Sequence, residues 1–173
     1  SIPVTLLSTP LCIDPKGNEG LNPQKTEPTN PLYSLDKQQS SLVYYDKNTI
    51  VLTMPYWVKV TNSSVEDSEV KKHSFVLSYD PEAMTASDTK LKLYISHVVE
   101  DAGETVTRSN FTYAYRAYSI RAALAAFKEK TGKLPKYLEL TAEINNSKDE
   151  LVDKDGKETS VERSVEYDYA FTE

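Results

Sequence analysis

The sequence predicts a mainly β (α+β) domain, an antiparallel β-sandwich or barrel-like sheet, with one amphipathic helix and an extended N-terminal arm. Three observations predict it. Apolar and polar residues alternate through most of the chain beyond residue 41, the period lengthens to 3.6 only near residue 120, and residues 14–40 show neither pattern.

The arm is read from Pro15, Pro23, Pro28 and Pro31, set among Gly, Asn, Gln and Ser between residues 14 and 40. Proline fixes φ and lacks an N–H, so this composition opposes both a helix and a central strand. The chain is therefore divided into an arm, 1–40, and one β-rich domain, 41–173. At the start of the arm Ile2, Val4 and Leu6 alternate with small or polar residues, a pattern that can add a strand to a sheet. Pro3 confines such a strand to an edge.

Strands follow from the alternating sets Leu42 and Tyr44; Ile50, Leu52 and Met54; Tyr56, Val58 and Val60 after a bulge at Pro55; Phe75, Leu77 and Tyr79; Leu91, Leu93 and Ile95; and Phe111, Tyr113 and Tyr115. Polar turns at 62–68 and 80–88 separate them. The helix is placed at 118–131, with Ile120, Leu124 and Phe127 on one face and Ser119 as N-cap. Lys128 and Lys130 suit its C-terminal dipole, and Gly132 followed by Pro135 stops it. Beyond it, Leu138 to Ile144 and Val161 to Phe171 read as the two arms of a long antiparallel hairpin.

Composition narrows the function classes. Hydrophobic residues make up 39% and charged residues 27%, as in a folded globular chain. No run approaches the roughly 18 apolar residues of a membrane span, so a soluble chain with no membrane partner is expected. Cys12 is alone and says nothing of redox compartment. A net charge of −6 opposes a protein that coats nucleic acid with its whole surface. Nucleic acid remains a partner only through a local basic patch: Arg116, Arg121, Lys128, Lys130, Lys133 and Lys136 face Glu129 alone between residues 116 and 137.

Chemistry-bearing motifs are sparse. Asp153, Asp155, Gly156 and Glu162 echo part of a calcium-binding loop, but Leu151 stands where the first ligand belongs, and a hairpin turn accounts for the segment. His73 and His97 sit in or beside strands with no Cys or second His at ligand spacing, so each reads as a solvated or satisfied strand histidine. Glu139, Glu143, Glu166 and Asp168 fall on outward strand positions. No catalytic residue, metal site or cofactor is expected.

Tyrosine is common, with 12 copies, and rigid rings suit sheet packing and interfaces. Three N-x-[ST] sequons, at Asn62, Asn110 and Asn145, favour a surface or secreted setting. The leading expectation is a non-enzymatic, self-assembling structural subunit of a virion (a capsid coat) or a surface filament, located in the virion or at the cell surface and partnered with other copies of itself. Ile2, Val4, Leu6, Tyr113 and Tyr115 are its candidate inter-subunit contacts. The alternative is a monomeric extracellular module that binds a glycan or peptide on Tyr56, Trp57 and nearby tyrosines.

Overall fold

The computed structural model describes residues 21–146 and 159–171. Its elements are β1 (Leu21–Asn22), β2 (Ser41–Asp46), β3 (Thr49–Val58), α1 (Asp67–Val70), β4 (His73–Ser78), β5 (Lys90–Val99), β6 (Asn110–Ser119), α2 (Arg121–Thr131), β7 (Tyr137–Ile144) and β8 (Val161–Asp168). Alternation in each long strand turns one row of side chains inward, and these rows meet in one core built around Leu52, Met54, Phe75, Leu77, Leu93, Ile95, Tyr118 and Leu140.

The strands form two sheets, one ordered β1-β4-β5-β7-β8 and the other β2-β3-β6, as the expected sandwich requires. Four pairings are antiparallel, while β1–β4 and β5–β7 run parallel. A parallel neighbour needs a long crossover, and here the chain leaves β5, lays β6 into the other sheet, and returns through α2 to β7. The terminal hairpin forms as expected, with Tyr137 opposite Asp168 and Ile144 opposite Val161. The calcium-like loop at 153–156 lies outside the described residues.

The helix begins later than the sequence suggests, because β6 runs on through Ser119 and uses it as a strand residue. Ile120 takes the capping position with no side-chain bond, its carbonyl accepting from the Leu124 N–H at 2.9 Å. Ala123, Leu124 and Phe127 face the core. At the other end Gly132 adopts φ 76°, and its N–H bonds the Lys128 carbonyl at 2.8 Å. No atom crowds the position of a Cβ there. Gly132→Ala is therefore expected to lower stability by about 1 kcal/mol through backbone strain alone, as measured by urea unfolding.

Residues 21–40, expected as the second half of an extended arm, instead form a strap laced onto the domain. Leu21 and Asn22 pair with Leu77 and Ser78 of β4. The strap then crosses the outer face of β5, where the Ser96 hydroxyl donates to the Thr26 carbonyl. Strands β5 and β7 are paired only as far as Ile95 and Ala142, and the strap fills the gap beyond. There the Thr29 and Asn30 N–H groups donate to the His97 carbonyl at 3.0 and 3.3 Å, Leu32 N–H donates to Glu143, and Asn145 N–H donates to the Leu32 carbonyl. Tyr33 N–H reaches across to the Pro55 carbonyl of β3, so the strap joins the two sheets. Leu32 is fully buried and Leu35 nearly so. Among the described residues the packing has no break at residue 40, while Ile2, Val4 and Leu6 lie outside them.

Candidate functional site

Two places concentrate chemistry. The first is a groove of about 590 Å³ on the outer face of the larger sheet, lined by Pro23 to Lys25 of the strap, the 78–84 segment, Asp88, outward residues of β5 and Thr141. Strand parity supplies its floor, since Lys90, Lys92 and Tyr94 point outward while Leu91 and Leu93 enter the core. Its rim is fixed locally. Asp80 Oδ1 accepts from the N–H groups of Glu82 and Ala83, Asp88 accepts from the N–H and hydroxyl of Thr85, and Met84 is buried beneath.

Tyr79 and Tyr94 give the groove aromatic surface, and the Lys25 ammonium lies 4.2 Å from the centroid of the Tyr94 ring. Burial raises the Tyr94 pKa, with the nearby Lys25 charge opposing part of the shift. Lys90 is tied to Glu139 and Glu166 at 3.5 and 2.5 Å. The groove is preformed, because its loop, strap and floor are each held by bonds within the domain.

The second place is a buried polar chain between the sheets. Glu69, on the four-residue α1, accepts from the Lys59 N–H at 3.0 Å, from Arg108 Nε at 2.6 Å and from His73 Nε2 at 3.1 Å. His73 Nδ1 lies 2.8 Å from His97 Nε2, and His97 Nδ1 lies 3.1 Å from the Pro31 carbonyl of the strap. Arg108 also grips both oxygens of Asp101, at 2.6 and 2.7 Å, and Lys72 approaches Asp101 at 3.6 Å. The His97 ring stacks on Phe75 at 4.9 Å and 3°.

Burial alone favours the neutral carboxyl of Glu69, yet the bonds from Arg108, Lys59 and His73 outweigh it and hold its pKa at about 2. Burial depresses both histidines: His97, with His73 beside it, falls to about 3, while His73 is lowered despite its bond to Glu69. Register explains the meeting. His73 lies opposite Val99 and Phe75 opposite His97, so the two histidines are diagonal neighbours on one face of an antiparallel pair. The sequence predicts solvated or satisfied strand histidines; the structure buries both and brings them into direct contact.

The residues expected from sequence fare unequally. Tyr113 is exposed and Tyr115 half-buried on the outer face of β6. Tyr56 and Trp57 do not form a platform: they are 2% and 3% exposed, and Trp57 Nε1 donates to the Asn145 carbonyl at 2.7 Å. Arg121, Lys128, Lys130, Lys133 and Lys136 are exposed along α2 and the loop after it. Arg116 is not part of that patch, since it is buried with its guanidinium 5.1 Å from the Phe75 ring and Nη1 donating to the Tyr115 carbonyl. Glu139, Glu143 and Glu166 lie on the outer face as expected, Glu143 accepting from the Ser160 hydroxyl. The Asn145 sequon is closed to a glycan, because its amide is buried and donates to Thr159. Among the described residues no group of three or more His, Cys, Asp or Glu could hold a metal ion, and no helix is long and apolar enough to cross a membrane.

No family model matches the chain. No curated protein matches it either. Among solved structures it is similar to a protein described as a "putative lipoprotein" from Bacteroides fragilis NCTC 9343, with a TM-score of 0.70 and 25% identity over 88% of this chain and 69% of that one. It is also similar to an uncharacterized protein from Parabacteroides merdae ATCC 43184, with a TM-score of 0.46 and 12% identity over 88% of this chain and 64% of that one.

Proposed function

We propose that this chain is a non-catalytic ligand-binding domain working at the cell surface, and that its groove takes an uncharged saccharide. The observation that carries the reading is the lining of the groove. Lys25, Lys90 and Lys92 balance Asp80, Glu82 and Asp88 around Tyr79, Tyr94 and the hydroxyls of Ser78 and Thr141. A charged ligand meets like charge on one wall or the other. Sugar hydroxyls both donate and accept, and the apolar face of a sugar ring packs on tyrosine. The lipoprotein description of the Bacteroides fragilis protein supports the surface setting.

Calorimetric titration with neutral oligosaccharides, with hexuronic-acid oligomers as the charged comparison, tests this reading. At least one neutral sugar is expected to bind, and Tyr94→Ala is expected to weaken it at least tenfold by removing the stacking surface and the partner of Lys25. Binding of no sugar, or undiminished affinity in the variant, overturns it.

The self-assembling subunit has one observation in its favour. Val43, Tyr45, Phe111 and Tyr113 are 58%, 81%, 39% and 40% exposed on the outward face of the smaller sheet, and exposed apolar side chains of this size suit contact between copies. A surface filament agrees with the lipoprotein description, whereas a virion has no comparable support. Under this reading, sedimentation is expected to show mass rising with concentration, and a monomer at every concentration removes it.

A further inference from the structure

The buried polar chain contains three contacts in a row and needs a proton in each. They are Glu69 Oε1 to His73 Nε2, His73 Nδ1 to His97 Nε2, and His97 Nδ1 to the Pro31 carbonyl, at 3.1, 2.8 and 3.1 Å. With Glu69 ionised by Arg108, two neutral imidazoles bring only two protons. Glu69 draws the first onto His73 Nε2, which leaves His73 Nδ1 an acceptor. The short nitrogen–nitrogen contact takes the second, from His97 Nε2. His97 Nδ1 then faces the Pro31 carbonyl without a proton, and the strap sits over a lone pair at its midpoint.

The strap is also what closes over His97. It bonds the backbone carbonyl of that residue through Thr29 and Asn30 and meets its ring at Pro31, leaving it 1% exposed. We propose that His97 is a proton-operated latch for the strap: seated, the strap keeps the chain at two protons, and acidification releases it by letting His97 take a third from solvent. This goes beyond the saccharide reading and stands without it.

The charged surroundings set the direction. His73 of β4 and Arg108, which precedes β6, oppose a proton on His97, while the Pro31 carbonyl of the seated strap and Glu69 of α1 favour one. Asp101 is held by Arg108 and Lys72, Tyr56 of β3 and Phe75 of β4 lay their rings against His97, and Lys59 offers its backbone N–H to Glu69. Burial decides in favour of the neutral ring while the strap is seated, in agreement with the depressed pKa of His97. Because Pro23 to Lys25 of the same strap wall the groove, its release also opens that wall.

Amide hydrogen exchange on the full chain, followed from pH 7.5 to 5.0 and corrected for intrinsic rates, tests the latch. The amides of Thr29, Asn30, Leu32 and Tyr33 are expected to exchange by local opening, with protection falling about tenfold per pH unit below about 6.5, the signature of one proton taken up per opening. Amides of the β5–β7 ladder, which exchange on unfolding, are expected to keep higher protection and a steeper slope. His97→Phe, which keeps a ring against Phe75, is expected to flatten the strap slope. Should that variant not fold, the wild-type imidazole resonances decide, since His97 in the seated protein must stay neutral at pH 5.5. Strap amides that share the protection and slope of the ladder at every pH, strap protection without pH dependence, or a His97 protonated at pH 5.5 with the strap still protected would each overturn the proposal.

Discussion

Arg108→Met is expected to lower the unfolding free energy by about 3–5 kcal/mol in urea titrations at pH 7. Arg108 is 6% exposed and spans Glu69, itself 6% exposed, and Asp101. Methionine fills much of the space and leaves the two carboxylates different fates. Asp101 is partly exposed and keeps Lys72 at 3.6 Å. Glu69 keeps only the Lys59 N–H and His73 Nε2, so a buried charge loses its strongest counter-charge. Adding Glu69→Leu to the variant is expected to recover part of the loss, because it removes the stranded carboxylate as well. A loss below about 1 kcal/mol for Arg108→Met would show that Glu69 escapes its burial, and would remove the electrostatic basis of the histidine chain.

The reach of this cluster follows from what it ties together. Glu69 binds the end of β3 through the Lys59 N–H, the start of β4 through His73, and the segment before β6 through Arg108. His73 then hands the connection through His97 to the strap. One polar chain thus links both sheets with a segment that has almost no regular structure of its own.

The sandwich, the helix and the terminal hairpin were legible because each rests on repetition. Leu91, Leu93 and Ile95 turn inward wherever β5 finds its partners, and Gly132 stops α2 through its own φ. The strap was not legible. Leu32 and Leu35 are too few to make a period, and the bonds of Leu32 and Tyr33 go to Glu143 and Pro55, distant in sequence, for which proline and polar composition give no sign. The histidine chain left a partial signal, since His73 continues the inward parity of Phe75 and Leu77, and His97 that of Leu93 and Ile95. Parity predicts their burial but not their contact, which requires the register of β4 on β5. Arg108 and Glu69 had no signal at all, because a four-residue helix and an irregular loop carry no pattern for burial to follow. The groove was likewise hidden, as its floor, rim and strap come from four separated stretches.

Stability is expected to fall steeply on mild acidification, by up to about 4 kcal/mol between pH 6.5 and 5.0, in urea titrations repeated at each pH. His73 and His97 are buried as neutral rings with pKa values below the ordinary 6.5, that of His97 near 3. A group whose pKa is lower in the folded chain stabilises the fold fully above its unfolded pKa, and that contribution is lost as the pH drops below it. Each histidine that stays neutral when folded but protonates when unfolded therefore removes about 1.4 kcal/mol per pH unit below about 6.5. Glu69 acts with the same sign but lower down, since its folded pKa is about 2 against an ordinary 4.5, so its loss begins only near pH 4.5. The window from 6.5 to 5.0 thus isolates the histidines from the carboxylates. His97→Phe is expected to make the slope shallower there, and Arg108→Met, by taking away a charge that opposes protonation of both rings, is expected to do so as well. A wild-type loss less than half as large across that window would mean that one imidazole is already protonated in the folded chain, completing all three contacts, and that the strap is bound through Pro31 at neutral pH instead of resting on a lone pair.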